Sequence, residues 1–334
     1  MKLIIPMAGR GTRLRPHTLT VPKPLVPIAG KPIVARLAED LAKSYDGQIE
    51  EIAFIIGDFG AQVEQDLLDL AASLGAKGSV YHQTEKLGTA HALMCAKESL
   101  SGNVIVAFAD TLFKADFKID TSQDGLIWAQ SVEDPSAFGV VTLDSDGVIT
   151  EFVEKPTTFV SDLAIVGIYY FKDGDMLRSE LQYLLDNNIM EKGEYQLTNA
   201  LENMKQKGLK FKTHTIQEWL DCGNKNAVVY ANERVLEIKD GAASIDSSVV
   251  TENSTIIPPC FIAAGVQIKN SVIGPHVSIG ANSQVENAVI SKTIIQHDTV
   301  VKNVVLNNSM LGSNVDCVGI QKELSLSDYS TCGQ

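Results

Sequence analysis

The chain has 334 residues, 45% hydrophobic and 21% charged, and its 28 Lys and Arg against 41 Asp and Glu give a formal net charge of −13. That length accommodates two domains, each with its own core, and the acidic balance argues against a nucleic-acid partner, which needs a basic face. No apolar run approaches the ~20 residues of a membrane span, no secretion signal opens the chain, and the five scattered cysteines (Cys95, Cys222, Cys260, Cys317, Cys332) form no CxxC pair, so a reduced cytoplasmic compartment is expected.

The first predicted element is a strand at Leu3–Pro6, apolar enough to be covered on both faces. It breaks at Ala8-Gly9-Arg10-Gly11, where two glycines free the backbone for a tight turn whose N–H groups can face an anion. Arg13 follows with a donor fork that suits phosphate. Lys23 is framed by Pro22 and Pro24, which stiffen its backbone. Residues 1–38 hold seven Lys and Arg and no carboxylate. Such a reversal of sign in an acidic chain marks a polyphosphate site.

Further strands are predicted at Glu51–Ile56, Gly78–His82, Val104–Ala107, Gly125–Ala129 and Ala164–Phe171, and helices at Ile33–Ser44, Gln62–Leu74, Gly88–Glu98, Gly174–Asn187 and Gln196–Lys207. This alternation predicts an α/β domain over residues 1–240 with a Rossmann-like, mainly parallel sheet. Ligands of such sheets lie beyond the carboxyl ends of the strands, where the Gly9–Arg13 loop and Asp110 would both fall. From residue 241 to 334 the texture changes. Short aliphatic residues recur every six positions in blocks: Ile245, Thr251, Ile257, Ala263; Ile273, Ile279, Val285; Ile295, Val301; Leu311, Cys317. A period of six predicts a parallel β-helix of three-sided coils.

Several residues in the first domain are candidates for chemistry. The Gly9-x-Gly11-Thr12-Arg13 loop is neither a Walker A loop nor a dinucleotide fingerprint, since no Gly-Lys-Ser/Thr follows and position 14 is Leu. Asp110 and Asp221 each end an apolar stretch, and each alone could simply stabilise a turn. Together they could hold one Mg²⁺ on phosphates. In Glu154-Lys155-Pro156 an extended backbone points the two side chains to opposite faces, so no simple ion pair is expected. The glutamate could accept sugar hydroxyls while the lysine holds a second phosphate. Gln83, Gly88 and Thr89 offer an amide for a base edge and an open backbone at a helix start.

GRGTRLRP (9–16), PKPLVPIAGKPI (22–33), LGTAHAL (87–93), Asp110, FGVV (138–141), EKP (154–156), VGIYYF (166–171) and WLDCGN (219–224) occur in this order. The set resembles the sugar-1-phosphate nucleotidyltransferases, most nearly those of the glucose-1-phosphate thymidylyltransferase type. The tail resembles the left-handed parallel β-helix of hexapeptide repeats that many members append. The resemblance implies that Ala8, Gly9, Gly11, Thr12 and Arg13 cradle the NTP phosphates, Lys23 neutralises charge near the α-phosphate, and Gln83, Gly88 and Thr89 contact the base. It implies Mg²⁺ on Asp110 and Asp221, a sugar pocket of Gly139, Glu154 and Gly167, and Lys155 on the sugar phosphate. Arg13, Lys23 and Asp110 would carry catalysis.

Both metal carboxylates stand in unusual contexts, Ala109-Asp110-Thr111 and Asp221-Cys222-Gly223-Asn224. Relatives that use GTP and mannose 1-phosphate tend to carry Glu where this chain has Gln83. An amide both donates to and accepts from a uracil or thymine imide, which favours UTP or dTTP. The other readings are a mannose-1-phosphate guanylyltransferase, a catalytically silent regulatory subunit, and an acetyltransferase activity of the β-helix with His276 or His297 as base. A homo-oligomer is expected through the β-helix faces.

Overall fold

The computed structural model describes residues 1–9, 11–114, 117–238 and 241–319, which leaves Arg10 and Cys332 outside it. The chain divides into two units, one of Met1–Val26 with Lys31–Ala227, the other of Pro27–Gly30 with the chain from Val228 on.

The first unit is built on a nine-stranded sheet. Its strands are β1 (Lys2–Pro6), β2 (Glu51–Ile56), β3 (Lys77–His82) and β4 (Val104–Ala107). A short β5 (Thr111–Lys114) lies apart from the sheet. The sheet continues with β6 (Gly125–Ser131), β7 (Gly139–Leu143), β8 (Ile149–Glu154), β9 (Leu163–Phe171) and β10 (Phe211–His214). The order is β8-β7-β9-β4-β1-β2-β3, with β6 paired to β9 and β10 to β6. β4, β1, β2 and β3 run parallel. Every residue of β2 and β4 is buried, as strands covered on both faces require.

The other half is antiparallel through β9, which pairs in that sense with β4, β6 and β7. Its hairpin β7–β8 turns at Asp144, whose Oδ1 accepts the N–H groups of Asp146 and Val148 at 2.9 Å each, while Gly147 takes φ 75°. This is side-chain turn chemistry rather than apolar periodicity, which is why strand prediction passed over both β7 and β8.

Helices α1 (Ile33–Lys43), α2 (Ala61–Ser73), α3 (Thr89–Cys95), α4 (Gly174–Asp186) and α5 (Leu197–Gln206) stand where the sequence placed them, each stopping short of its predicted end. The N-terminus of α4 is capped by Asp173, whose side chain accepts from the Met176 N–H at 2.9 Å. A sixth helix, α6 (Lys225–Ile238), escaped prediction, and β11 (Glu218–Asp221) pairs antiparallel with β5.

In the second unit short parallel strands stack in register as a parallel β-helix. Ala243 pairs with Cys260, Cys260 with Val277, Val277 with Thr293 and Thr293 with Ser309. Successive coils are therefore 17 and then 16 residues long, three hexads of which one or two are cut to five residues. Ile262, Ile268, Ile273, Ile279, Val285, Ile290, Ile295 and Val301 fill the interior. Of the positions read from the period, Ile245 pairs with the interior Ile262 but is exposed in the first coil, whereas Ile257 and Ala263 miss the interior by one residue, because Ile256 pairs with Ile273 and Ile262 with Ile279.

Most corners carry a residue at positive φ, and asparagine serves most often. Asn253, Asn270, Asn287 and Asn303 stack at one corner with φ between 46° and 57°. Their amides hydrogen bond in sequence at 2.9, 3.2 and 3.1 Å. At another corner His276 and Lys292 take φ 64° and 44°. Both reach α6, with His276 Nε2 2.9 Å from Glu237 and Lys292 Nζ 3.0 Å from Glu233. Asn232 of α6 accepts from the Ala29 N–H at 2.9 Å and the Ser278 hydroxyl at 2.7 Å, tying α6 and residues 27–30 to the coils.

The asparagine stack yields a two-variant prediction. Asn270→Ala removes both ladder bonds and forces an L-residue without a compensating amide into the left-handed region, at a cost of about 2 kcal/mol. Asn270→Gly loses the bonds but not the backbone preference and costs about 1 kcal/mol less. Denaturant melts of the two variants against wild type measure the difference.

Candidate active site

The carboxyl ends of β1 and β4 converge on a cavity of about 390 Å³ lined by Ala8, Gly9, Gly11, Thr12, Arg13, Lys23, Gln83, Gly88, Thr89 and Asp110. A second chamber of about 280 Å³ is lined by Gly139, Glu154, Gly167 and Asp221, and the two share Arg13, Thr89, Phe108 and Asp110. The structure thus brings together all the described candidates except Lys155.

The glycine loop is shaped by contact as well as by turn chemistry. Gly11 sits at φ 62°, and a Cβ on it would meet Lys23 Cβ at 2.6 Å. Its carbonyl accepts from the Leu14 N–H at 3.0 Å and the Thr18 hydroxyl at 2.8 Å. The loop is therefore closed against the Pro-Lys-Pro frame, and Lys23 is only 6% exposed. Its ammonium lies 3.4 Å from Asp110, whose side chain is half exposed and faces both chambers.

Pairing of β5 with β11 explains how two aspartates far apart in sequence meet. Thr111 stands opposite Asp221, and the Cys222 N–H donates to the Asp110 carbonyl at 3.0 Å. Gly223 completes the junction, because a Cβ there would lie 2.8 Å from Asp221 Oδ2 and 3.2 Å from Arg13 Nη2. Burial raises the Asp221 carboxyl above the ordinary carboxylate range against the pull of Lys23, with Asp110 adding to the rise. Two carboxylates, Asp110 facing both chambers and Asp221 the smaller, offer hard oxygen donors beside the cations Arg13 and Lys23. That chemistry fits Mg²⁺.

Glu154 ends β8 and receives the Thr198 hydroxyl at 3.2 Å. Burial raises its carboxyl, with Lys155 pulling the other way. The expectation that Glu154 and Lys155 point apart is overturned. Lys155 leaves the strand at φ 44°, which breaks the alternation, and its ammonium comes to 3.6 Å from Glu154 while lining neither chamber.

Other walls were not foreseen. Phe138 and Trp219 meet edge to face at 5.0 Å, and the Trp219 indole N–H reaches the Thr111 hydroxyl at 3.4 Å. Glu194 lines the larger chamber, while Tyr169, Gln196 and Thr198 line the smaller. Of the stretch GEYQLT (193–198), Gln196–Thr198 fall within the predicted helix Gln196–Lys207, and residues 193–195 have no role read from the sequence. Its polar residues immediately before α5, where a helix start faces outward, were the available signal.

A family model described as nucleotidyl transferase matches residues 2–238, and one described as GlmU-like, C-terminal hexapeptide matches residues 238–332. The chain is 31% identical over 261 residues to the low-salt glycan biosynthesis nucleotidyltransferase Agl11 of Haloferax volcanii, covering 75% of this chain and 71% of that protein. It is 31% identical over 291 residues to glucose-1-phosphate thymidylyltransferase of Streptomyces antibioticus, covering 80% and 79%. A crystal structure from Bacillus anthracis, assigned as a glucose-1-phosphate thymidylyltransferase and holding sucrose, superposes with a TM-score of 0.59 at 25% identity, covering 70% of this chain and 94% of that one.

The Lys23–Gly11 contact makes a prediction independent of substrate identity. Gly11→Ala brings a methyl group against the Lys23 stem and strains the turn, so the loop must shift. Affinity for inorganic triphosphate, read by calorimetry well below the unfolding transition, is expected to fall about tenfold or more, and the melting temperature to fall as well. Lys23→Met should do the same by removing charge without volume, and unaltered triphosphate binding in both variants would reject the loop as the anion site.

Proposed function

The chain belongs to the nucleotidyl transferase family, among the sugar-1-phosphate nucleotidyltransferases, and on that premise we propose that it makes an NDP-sugar and pyrophosphate from UTP or dTTP and glucose 1-phosphate. The observation that carries this reading is the junction of two chambers at Arg13, Lys23, Asp110 and Asp221. The larger chamber takes the nucleotide and the smaller the sugar phosphate, so the reacting phosphates meet where opposite charges are already concentrated.

The sugar phosphate oxygen attacks the α-phosphorus, the bond from that phosphorus to the bridging oxygen breaks, and pyrophosphate leaves in line. The attacking oxygen is already anionic near neutral pH, so no general base is required. The barrier lies in bringing two polyanions together. Gly9 and Gly11 leave backbone room for the β- and γ-phosphates, and Arg13 and Lys23 neutralise charge as it moves toward the leaving group. Asp110 and Asp221 would hold Mg²⁺, which supplies further positive charge when bound. Glu154, buried and fixed by Thr198, accepts sugar hydroxyls, and Lys155, which lines neither chamber but lies 3.6 Å from Glu154, attracts the sugar phosphate. Gln83 presents its amide to the pyrimidine. The β-helix is assigned to association between copies of the chain.

Pyrophosphate release with Mg²⁺ and glucose 1-phosphate tests the reading across UTP, dTTP, GTP, ATP and CTP. Release dependent on both the sugar phosphate and a uracil or thymine nucleotide is expected. A preference for GTP would overturn the base assignment but not the reaction. Asp110→Asn and Asp221→Asn should each lower kcat/KM by about 10²- to 10³-fold.

Glu154 supports a prediction with opposite signs for stability and function. Because burial raises its folded-state pKa above the unfolded value, the folded protein holds that proton to higher pH. Stability is therefore lost as pH rises through this range, and the ionised group is a net cost at pH 7. Glu154→Gln removes the cost, so it should melt above wild type at pH 7 and converge with it toward pH 4. The same variant should raise the KM for glucose 1-phosphate.

A further inference from the structure

Gln83 lines the larger chamber, whereas His91 stands behind it on α3 and does not. The Gln83 amide nitrogen donates to the Gly88 carbonyl at 3.2 Å and lies 3.3 Å from His91 Nδ1. A carbonyl oxygen only accepts, so the atom facing Gly88 is the NH₂ group and not Oε1. The second amide hydrogen then points to His91 Nδ1, which accepts it when the ring hydrogen is on Nε2. With both amide hydrogens taken, Oε1 is the polar atom left for a ligand, and among the described residues no donor reaches it.

We infer that His91 is a positioning residue for nucleotide choice, locking Gln83 so that only an acceptor faces the base. This rests on the assignment of Gln83 to the base subsite. An acceptor at that point pairs with the ring N3–H of uracil or thymine. Cytosine carries a lone pair at N3, which would oppose Oε1. Without His91 only the Gly88 carbonyl opposes a 180° turn of the amide, and a turned glutamine would donate to cytosine instead. The lock thus supplies discrimination by repulsion as well as by attraction.

The experiment compares kcat/KM for UTP and CTP in wild type, His91→Ala, His91→Asn and Gln83→Ala, each in the full chain with its melting temperature recorded. Asparagine places an acceptor near the position of Nδ1 and serves as the conservative variant. His91→Ala is expected to lower the UTP-to-CTP ratio about three- to tenfold, the worth of one such hydrogen bond, with the change in nucleotide KM rather than kcat. His91→Asn should restore most of the ratio. An unchanged ratio in His91→Ala, or an equal loss for both nucleotides with a lowered melting temperature, overturns the inference. If Gln83→Ala abolishes selectivity while His91→Ala leaves it intact, only the positioning role fails. If Gln83→Ala also leaves it intact, the base assignment fails with it.

Discussion

A single ammonium group, that of Lys23, fixes much of the site. It is almost wholly buried, and the chain meets the cost of burial with Asp110 at 3.4 Å and with the field of Asp221 beyond. Removing either partner of such a pair leaves a charge without compensation, a larger loss than the net worth of the pair. The remaining geometry follows from this need. Gly11 must lack a Cβ because the Lys23 stem occupies the space, and the two prolines flanking Lys23 hold the stem there. The aspartates must sit together, which requires β5 to pair with β11. An acidic chain can then attract a polyphosphate, because its few local cations are held in place before the ligand arrives and lose little entropy when it binds.

The two units solve the problem of sharp turns by different means. In the first, glycines stand where something must come close: Gly88 takes φ 107° with the Tyr195 backbone 2.4 Å from where its Cβ would be. In the second, turns repeat and asparagine does the work, since its amide both tolerates the left-handed region and bonds to the next coil. The corner that uses His276 and Lys292 departs from this pattern. Their side chains are spent on Glu237 and Glu233, so the backbone strain there accompanies the fastening of α6, by His276 on Glu237 and by an ion pair from Lys292 to Glu233.

What was legible in the sequence was local. The strand-to-glycine break, the helices with a 3.6-residue stripe and the hexad period all depend on neighbours in the chain, and all appear in the structure. The coil length follows from steps shorter than six: Ile262, Ile268, Ile273 and Ile279 advance by six, five and six residues, and Ile279, Val285, Ile290 and Ile295 by six, five and five. What escaped was set by long-range contact. Thr198 matters through its hydroxyl bond to Glu154, and nothing in its own surroundings marks it. β7 and β8 are stabilised by a turn in which Asp144 bonds its own backbone. The opposed faces expected for Glu154 and Lys155 assumed that the strand continued, but it ends at Glu154.

The loop from Glu194 to Thr198 also shows that the two chambers are not independent. The Tyr195 N–H donates to Leu87 at 2.8 Å and the Ala90 N–H to the Tyr195 carbonyl at 2.9 Å, so this segment runs as a splint along the base loop. The Leu197 N–H then donates to the Thr89 hydroxyl at 2.8 Å, and the next residue, Thr198, holds Glu154 in the other chamber. A shift of the base loop is transmitted through about four residues of packed backbone to the carboxylate assigned to the sugar. Backbone hydrogen bonds of this kind are short and directional, so the loop moves as a piece or not at all. Under the proposed assignment, nucleotide and sugar would lie on two faces of one element, so that filling one chamber would bear on the other.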